Sequence, residues 1–156
     1  MELQKRSQLD FKKLDQDGLS ILEEWFKDTE VLNRLNGIIP LQQWYNYVEQ
    51  SSDYFAWIVL EQGVPVGQIS VELYEDQTGA ISILTKPQLR YKGYGTKMLQ
   101  ALLKRAELSS TEMIKVGIEI DNHASIKCFK KVGFVEHGFD KDGLVELNYF
   151  LNPRRD

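Results

Sequence analysis

The chain has one cysteine and two histidines among 156 residues. Cys128 by itself excludes an internal disulfide, and with only His123 and His137 beside it no zinc-ligand spacing can be assembled. No structural metal is expected. Long apolar runs are missing too: the longest, Phe55 to Leu60, is far too short to span a bilayer. Met1 to Asp10 is polar and charged where a signal peptide would be apolar, so a soluble, cytoplasmic protein without membrane partners is expected. The net charge of −4 argues against general nucleic-acid binding. What is present is enough apolar side chain, 42% of the residues, to bury a core without disulfides, most simply as one domain spanning 1–156.

Charge is unevenly placed. Residues 87–115 carry six Lys/Arg against two Asp/Glu, whereas residues 51–86 carry one against five. The positive window begins at Pro87-Gln88-Leu89-Arg90-Tyr91-Lys92-Gly93-Tyr94-Gly95-Thr96, between a strand-like segment and a helical pattern. Two glycines two apart let backbone amides approach an anion, and the first turn of a helix presents unpaired amides and a positive dipole end. Gly93-x-Gly95 alone serves equally well as an ordinary turn. Met98 stands where a dinucleotide fingerprint needs its third glycine, and no Gly-Lys-Ser/Thr follows, so two phosphate-binding families are disfavoured.

Along the chain, Leu9, Phe11 and Leu14 suggest a short strand, and Asp17-Gly18 opens an amphipathic helix using Leu19, Leu22, Trp25 and Phe26. Thr29 to Leu35 is a second helix, stopped by Asn36-Gly37, and Pro40 opens a third with Leu41, Trp44, Tyr45 and Val48. From Asp53 the pattern changes: Tyr54–Leu60 is β-branched and aromatic on both faces, as a buried strand would be, and Val66–Tyr74 alternates strictly. Tyr54–Leu60, Val66–Tyr74 and Ala80–Thr85 read as a meander, with Gly67, Ile69, Val71 and Leu73 on one face and Gln68, Ser70, Glu72 and Tyr74 on the other. A helix from Met98 to Ala106, a strand over 114–120, a helix His123–Val132 capped by Asn122, and a closing hairpin of Phe134–His137 with Leu144–Leu151 complete the order β-α-α-α-β-β-β-α-β-α-β-β. Asn152 to Asp156 reads as a frayed tail.

Two motifs in this order, Pro87-x-x-Arg90-x-x-Gly93-x-Gly95 and Asn122-x-x-Ser125-Ile126-x-x-Phe129-x-Lys131-x-Gly133-Phe134, resemble the GNAT superfamily of N-acetyltransferases, nearest the branch of aminoglycoside 6′-acetyltransferases and ribosomal-protein alanine acetyltransferases. The resemblance covers residues 53–151 well and the N-terminal third in outline. It implies an α/β (α+β) fold with a mixed, mostly antiparallel six- to seven-stranded sheet, flanked by helices and splayed between strands 4 and 5. Residues 1–52 would form a helical acceptor side and 53–151 an acetyl-CoA-binding core. Acetyl-CoA is the implied cosubstrate. Its pyrophosphate would lie on the amides of Arg90, Tyr91, Lys92, Gly93, Tyr94, Gly95 and Thr96, and its pantetheine on backbone around Ile83, Leu84 and Thr85. Asn122, which also reads as a helix cap, Ser125 and Phe129 would complete the cofactor site.

One departure stands out. Many relatives carry a tyrosine at position 129, thought to protonate the departing thiolate, and phenylalanine cannot donate a proton. Cys128, about 100° around the helix from Phe129, reads as core. Tyr91 replaces a frequent loop glycine, harmless if no positive φ is needed there.

The implied chemistry is direct attack of a primary amine, on a small molecule or peptide, upon the thioester. Glu72 is the first candidate base, from its place on the polar face of a central strand, and Glu119 the second, near the split. Trp25, Trp44, Tyr45, Tyr47 and Tyr54 with Glu23, Glu24, Glu49 and Asp53 would suit a cationic acceptor, though they read more simply as core aromatics and solvated acids. A catalytically silent CoA-binding or regulatory module is the alternative, and a homodimer is an admissible assembly.

Overall fold

Asp15, not Asp17, starts the helical part of the chain: its Oδ1 accepts the Gly18 amide at 2.8 Å and caps α1 (Gln16–Trp25). A computed structural model describes residues 8–151, so the expected tail at 152–156 lies outside the described residues. Before α1 runs β1 (Leu9–Lys13), and after it come α2 (Thr29–Arg34) and α3 (Leu41–Gln50). The meander is β2 (Tyr54–Glu61), β3 (Val64–Leu73) and β4 (Thr78–Thr85). Then follow α4 (Tyr94–Leu102), β5 (Met113–Ile118), α5 (His123–Val132), β6 (Val135–Phe139) and β7 (Val145–Phe150). The element order is the one read from the sequence.

All seven strands join in one sheet, ordered β1-β2-β3-β4-β5-β7-β6. Every neighbouring pair is antiparallel except β4 and β5. Those two pair only over Thr78–Ala80 and Met113–Lys115. Beyond that row they separate, so Ile81–Thr85 has a strand partner on the β3 side alone.

The two faces of the sheet carry different layers. Trp57, Val59, Ile69, Val71, Ile81, Ile114 and Val116 pack under α4 and α5, against Met98, Leu99, Leu102 and Phe129. Contact is close enough that a Cβ on Gly67 of β3 would lie 2.5 Å from Met98 Sδ and 2.6 Å from the Leu84 carbonyl oxygen. On the other face Ala56, Ile58 and Leu84 pack under α1 and α3 through Leu19, Leu22, Trp44 and Val48. The polar face expected on β3 therefore is not solvated along its length: Gln68 and Ser70 are each 2% exposed.

Three boundaries shift for local reasons. α4 stops at Leu102 rather than Ala106, and the chain turns so that the Arg105 guanidinium lies over the Phe11 and Trp57 rings and pairs with Glu107. β5 stops at Ile118 because a turn, Asn122 N–H to Glu119 C=O at 2.9 Å, swings Asn122 into the cap of α5. Phe134 precedes β6 and is buried edge-on against Phe129 at a ring separation of 4.9 Å.

Candidate active site

Separation of β4 from β5 opens a cleft of about 680 Å³. One arm offers the backbone of Ile81–Thr85, the other Val116–Glu119, and α5 contributes Ser125, Cys128 and Phe129. At its end the chain leaves β4 through a short turn, Pro87–Leu89, and enters α4 at Gly93. Gly93 has φ +86°, which glycine adopts without steric cost, and α4 has no side-chain cap. The first intrahelical bond runs from Lys97 N–H to Gly93 C=O, so the amides of Tyr94, Gly95 and Thr96 precede it and point out of the helix end. A negative group placed there meets bare amides and the positive end of the dipole.

Of the residues expected to hold the cofactor, Ile83, Leu84, Thr85, Arg90, Tyr91, Gly93, Tyr94, Gly95, Thr96, Asn122, Ser125 and Phe129 all line this cleft. Lys92 is exposed and does not. Tyr91 takes φ +61°, so its backbone does occupy the left-handed region and its substitution for a loop glycine carries strain. Asn122 Oδ1 accepts the Ser125 amide at 3.4 Å and caps α5, and the residue still faces the cleft, so the two roles read for it share one position. Cys128 packs at the edge of the core and also lines the cleft, with Sγ 3.6 Å from Thr96 Oγ1, and burial pushes its thiol pKa up.

The loop's cations are largely committed inside the protein. Arg90 donates to both carboxylate oxygens of Asp28, at 2.5 and 3.3 Å, and its Nε lies 3.6 Å from Glu30. Lys97 pairs with Glu61 at 2.9 Å, and the Tyr94 hydroxyl donates to the same carboxylate. The hydrogen bond from Tyr94, then the charge of Lys97, holds Glu61 below the usual carboxylate range. Backbone amides, rather than mobile side-chain charge, are what this loop turns toward an anion.

The two candidate bases sit in different surroundings. Glu72 lies in the sheet row Tyr54–Glu72–Ala80–Lys115, the last row in which β4 and β5 still pair. It is therefore one strand away from the vertex of the split, although it does not line the cleft itself. Tyr47 and Tyr74 donate to its two oxygens at 3.1 and 3.2 Å. Burial, and then the Glu72 charge, pushes the Tyr74 pKa up to about 12, so Tyr74 keeps its proton. Glu119 does line the cleft, and Arg34 reaches it at 3.2 Å and Asp121 at 2.8 Å.

None of the N-terminal aromatics and acids expected to face an acceptor lines the cleft. Trp25, Trp44 and Tyr45 are core residues, and Tyr54 accepts from Trp44 Nε1 at 3.1 Å. The wall is built instead by α2 and the turn after it, through Glu30, Val31, Asn33, Arg34, Leu35 and Asn36. A six-residue helix with one buried side chain, Val31, carries little core signal, and that shortness was the one hint of a surface role. Among the described residues, no group of three His, Cys, Asp or Glu side chains is placed to hold a metal ion, and no helix is long and apolar enough to cross a membrane.

Residues 19–134 match the acetyltransferase (GNAT) family. The chain is 30% identical over 139 residues to the uncharacterised N-acetyltransferase YfmK of Bacillus subtilis (strain 168), covering 88% of this chain and 93% of that one. In three dimensions it is similar to AAC(6′)-Ib in complex with parmomycin and acetyl-CoA, with a TM-score of 0.79 at 20% identity, covering 91% of this chain and 93% of that one. It is equally similar to spermidine N-acetyltransferase from Vibrio cholerae in complex with CoA and spermine, with a TM-score of 0.79 at 14% identity over 92% and 96% of the two chains.

Proposed function

Because the chain belongs to the acetyltransferase (GNAT) family, it is an acetyl-CoA-dependent N-acetyltransferase, and we propose that it acetylates a primary amine on a small polycationic molecule or a peptide. The carrying observation is the cleft: an open β4 edge leads to an uncapped α4 N-terminus, the shape and donor set that an extended pantetheine and a diphosphate require. Arg90–Thr96 and Ile83–Thr85 are assigned to hold these groups, with Asn122, Ser125 and Phe129 along the α5 side. Bound there, acetyl-CoA supplies the activated acetyl group.

The acceptor side carries excess negative charge. Glu30 and Glu119 line the cleft beside Arg34 and Arg90, and each guanidinium is further neutralised by a carboxylate outside the lining, Asp121 for Arg34 and Asp28 for Arg90, so the two arginines sit among four carboxylates. Such a wall favours a cationic acceptor, and the aminoglycoside and spermine carried by the structural relatives are cations of that kind. Glu72 is assigned as the group that takes the acceptor's proton, oriented by Tyr47 and Tyr74 one strand away from the vertex of the split. Glu119 is the second reading, favoured by its place in the cleft lining. Residues 1–156 are read as one catalytic domain, with 1–52 on the acceptor side. It would work in the cytoplasm, where acetyl-CoA is supplied, and the exposed edge strand β6 offers a pairing edge for a homodimer.

The test is thiol release from acetyl-CoA across a panel of kanamycin, ribostamycin, spermidine, spermine and short peptides. Turnover on one of them is expected, with Glu72→Gln lowering kcat by about 10²-fold or more and removing the low-pH limb of the pH–rate profile, where a general base becomes protonated. An unchanged profile in Glu72→Gln with a collapsed one in Glu119→Gln would transfer the role to Glu119. Binding of acetyl-CoA with no turnover on any amine would favour the silent module.

A further inference from the structure

α2 has an unusual pair of attachments. Its N-cap residue, Asp28, is gripped by Arg90, which stands just beyond the end of β4. Its last residue, Arg34, grips Glu119 and Asp121, which stand just beyond the end of β5. These partners are 62 and 87 residues apart in sequence, and they belong to the two opposite arms of the split. From Asp28 to Arg34 the helix advances roughly 9 Å, and a sheet that lacks one strand between two others leaves a gap of about 9.6 Å. The helix is as long as the opening is wide.

Little else holds it. Val31 is its single buried side chain, and Leu32 is 42% exposed. Toward the cleft α2 turns Glu30, Asn33 and Arg34, so it forms the wall an acceptor must pass.

We infer that α2 is a strap across the mouth of the cleft, fastened to the β4 arm by Arg90–Asp28 and to the β5 arm by Arg34–Glu119/Asp121, and that Arg34 and Arg90 are positioning residues whose ion pairs set how readily the acceptor side opens. This rests on reading the split as the acetyl-CoA and acceptor cleft. Under it, Arg90 serves the loop through its backbone amide while its guanidinium ties the loop to the strap. Opening is then governed by charge, and it responds to ionic strength in a way that the packing of α4 does not.

Cys128 supplies the probe, because it is the chain's one cysteine and it lines the cleft. The rate of its alkylation by N-ethylmaleimide, followed by mass, reads access to the cleft and needs no acceptor. Asp28→Asn breaks the charge pair and keeps a good cap for α2, so it stands as a test even if Arg34→Gln folds poorly. Each variant should label roughly three- to ten-fold faster than the native chain, since an opening held by surface ion pairs responds on that scale. The double variant should label little faster than either single one, because a strap freed at one end already swings. Arg34→Lys should restore most of the slow rate. Raising salt from about 0.1 to 1 M should speed the native chain and leave the double variant unmoved. Rates that ignore both variants and salt overturn the strap. Protection of Cys128 by acetyl-CoA in the native chain is a separate arm: losing it would overturn the reading of the cleft, whatever the variants do.

Discussion

α4 and α2 border the same cleft and are held by different forces. α4 drives Met98, Leu99 and Leu102 into the core, each fully buried, and each such side chain contributes roughly 1.5–3 kcal/mol. α2 buries only Val31 and relies on half-exposed ion pairs, which contribute little apiece. The helix proposed to present amides to the cofactor is therefore fixed by packing before any ligand arrives. The helix proposed to face the acceptor is held by charges that can be exchanged. A cosubstrate common to a whole family suits the first arrangement, and an acceptor that differs between members suits the second.

That contrast can be broken at the packed side first. Leu102→Ala should cost about 3 kcal/mol or more by urea unfolding, since it leaves a cavity beneath α4 that close packing cannot collapse. A loss below 1 kcal/mol would mean that α4 is not anchored by its core face. A smaller effect is expected where the loop joins that helix. Tyr91 is 84% exposed with φ +61°, so Tyr91→Gly relieves left-handed strain and forfeits little contact, for a net gain of up to about 1 kcal/mol after the entropy cost of glycine. A lower melting temperature in this variant would show that the ring, not the backbone, is what position 91 needs.

The strap side gives the smallest effect and one with a definite sign. Its hydrogen bond with Arg90 holds Asp28, and its hydrogen bond with Arg34 holds Asp121, below the ordinary aspartate range. With folded values below unfolded ones, the folded state binds fewer protons. The contribution is complete above the unfolded value near pH 4 and is lost as pH falls through the depressed folded values. Unfolding curves from pH 7 to 5 should therefore match between the native chain and Asp28→Asn in slope, and below about pH 4 the native chain should lose stability more steeply. Parallel curves throughout would remove Asp28 from the account.

How much of this was legible in the sequence follows the same division. Gly93 and Gly95 act through local backbone geometry and Asn122 through a side-chain cap on the amide three residues on, so their spacing brought the proposed cofactor side into view. The helical recurrence of Met98, Leu99 and Leu102 likewise announced a packed face. The order of elements along the chain followed from turn residues and alternation, while the burial of Gln68 and Ser70 did not, because alternation does not say which face a distant helix covers. The strap was hidden for a plainer reason. Asp28 and Arg90, or Arg34 and Asp121, are ordinary surface charges until the sheet brings two arms to either end of one short helix. Tyr91 is a third case: its place where a loop glycine is frequent marked the position, but only the structure shows that the backbone there takes a positive φ.

Amide hydrogen exchange with and without saturating acetyl-CoA tests the central claim most directly. Protection should appear in the cofactor arm of the cleft, at Ile81–Thr85 on the open β4 edge and at Tyr94–Thr96 at the start of α4, with the antiparallel β6–β7 hairpin unchanged. Exchange at those two segments that is indifferent to acetyl-CoA would contradict the account.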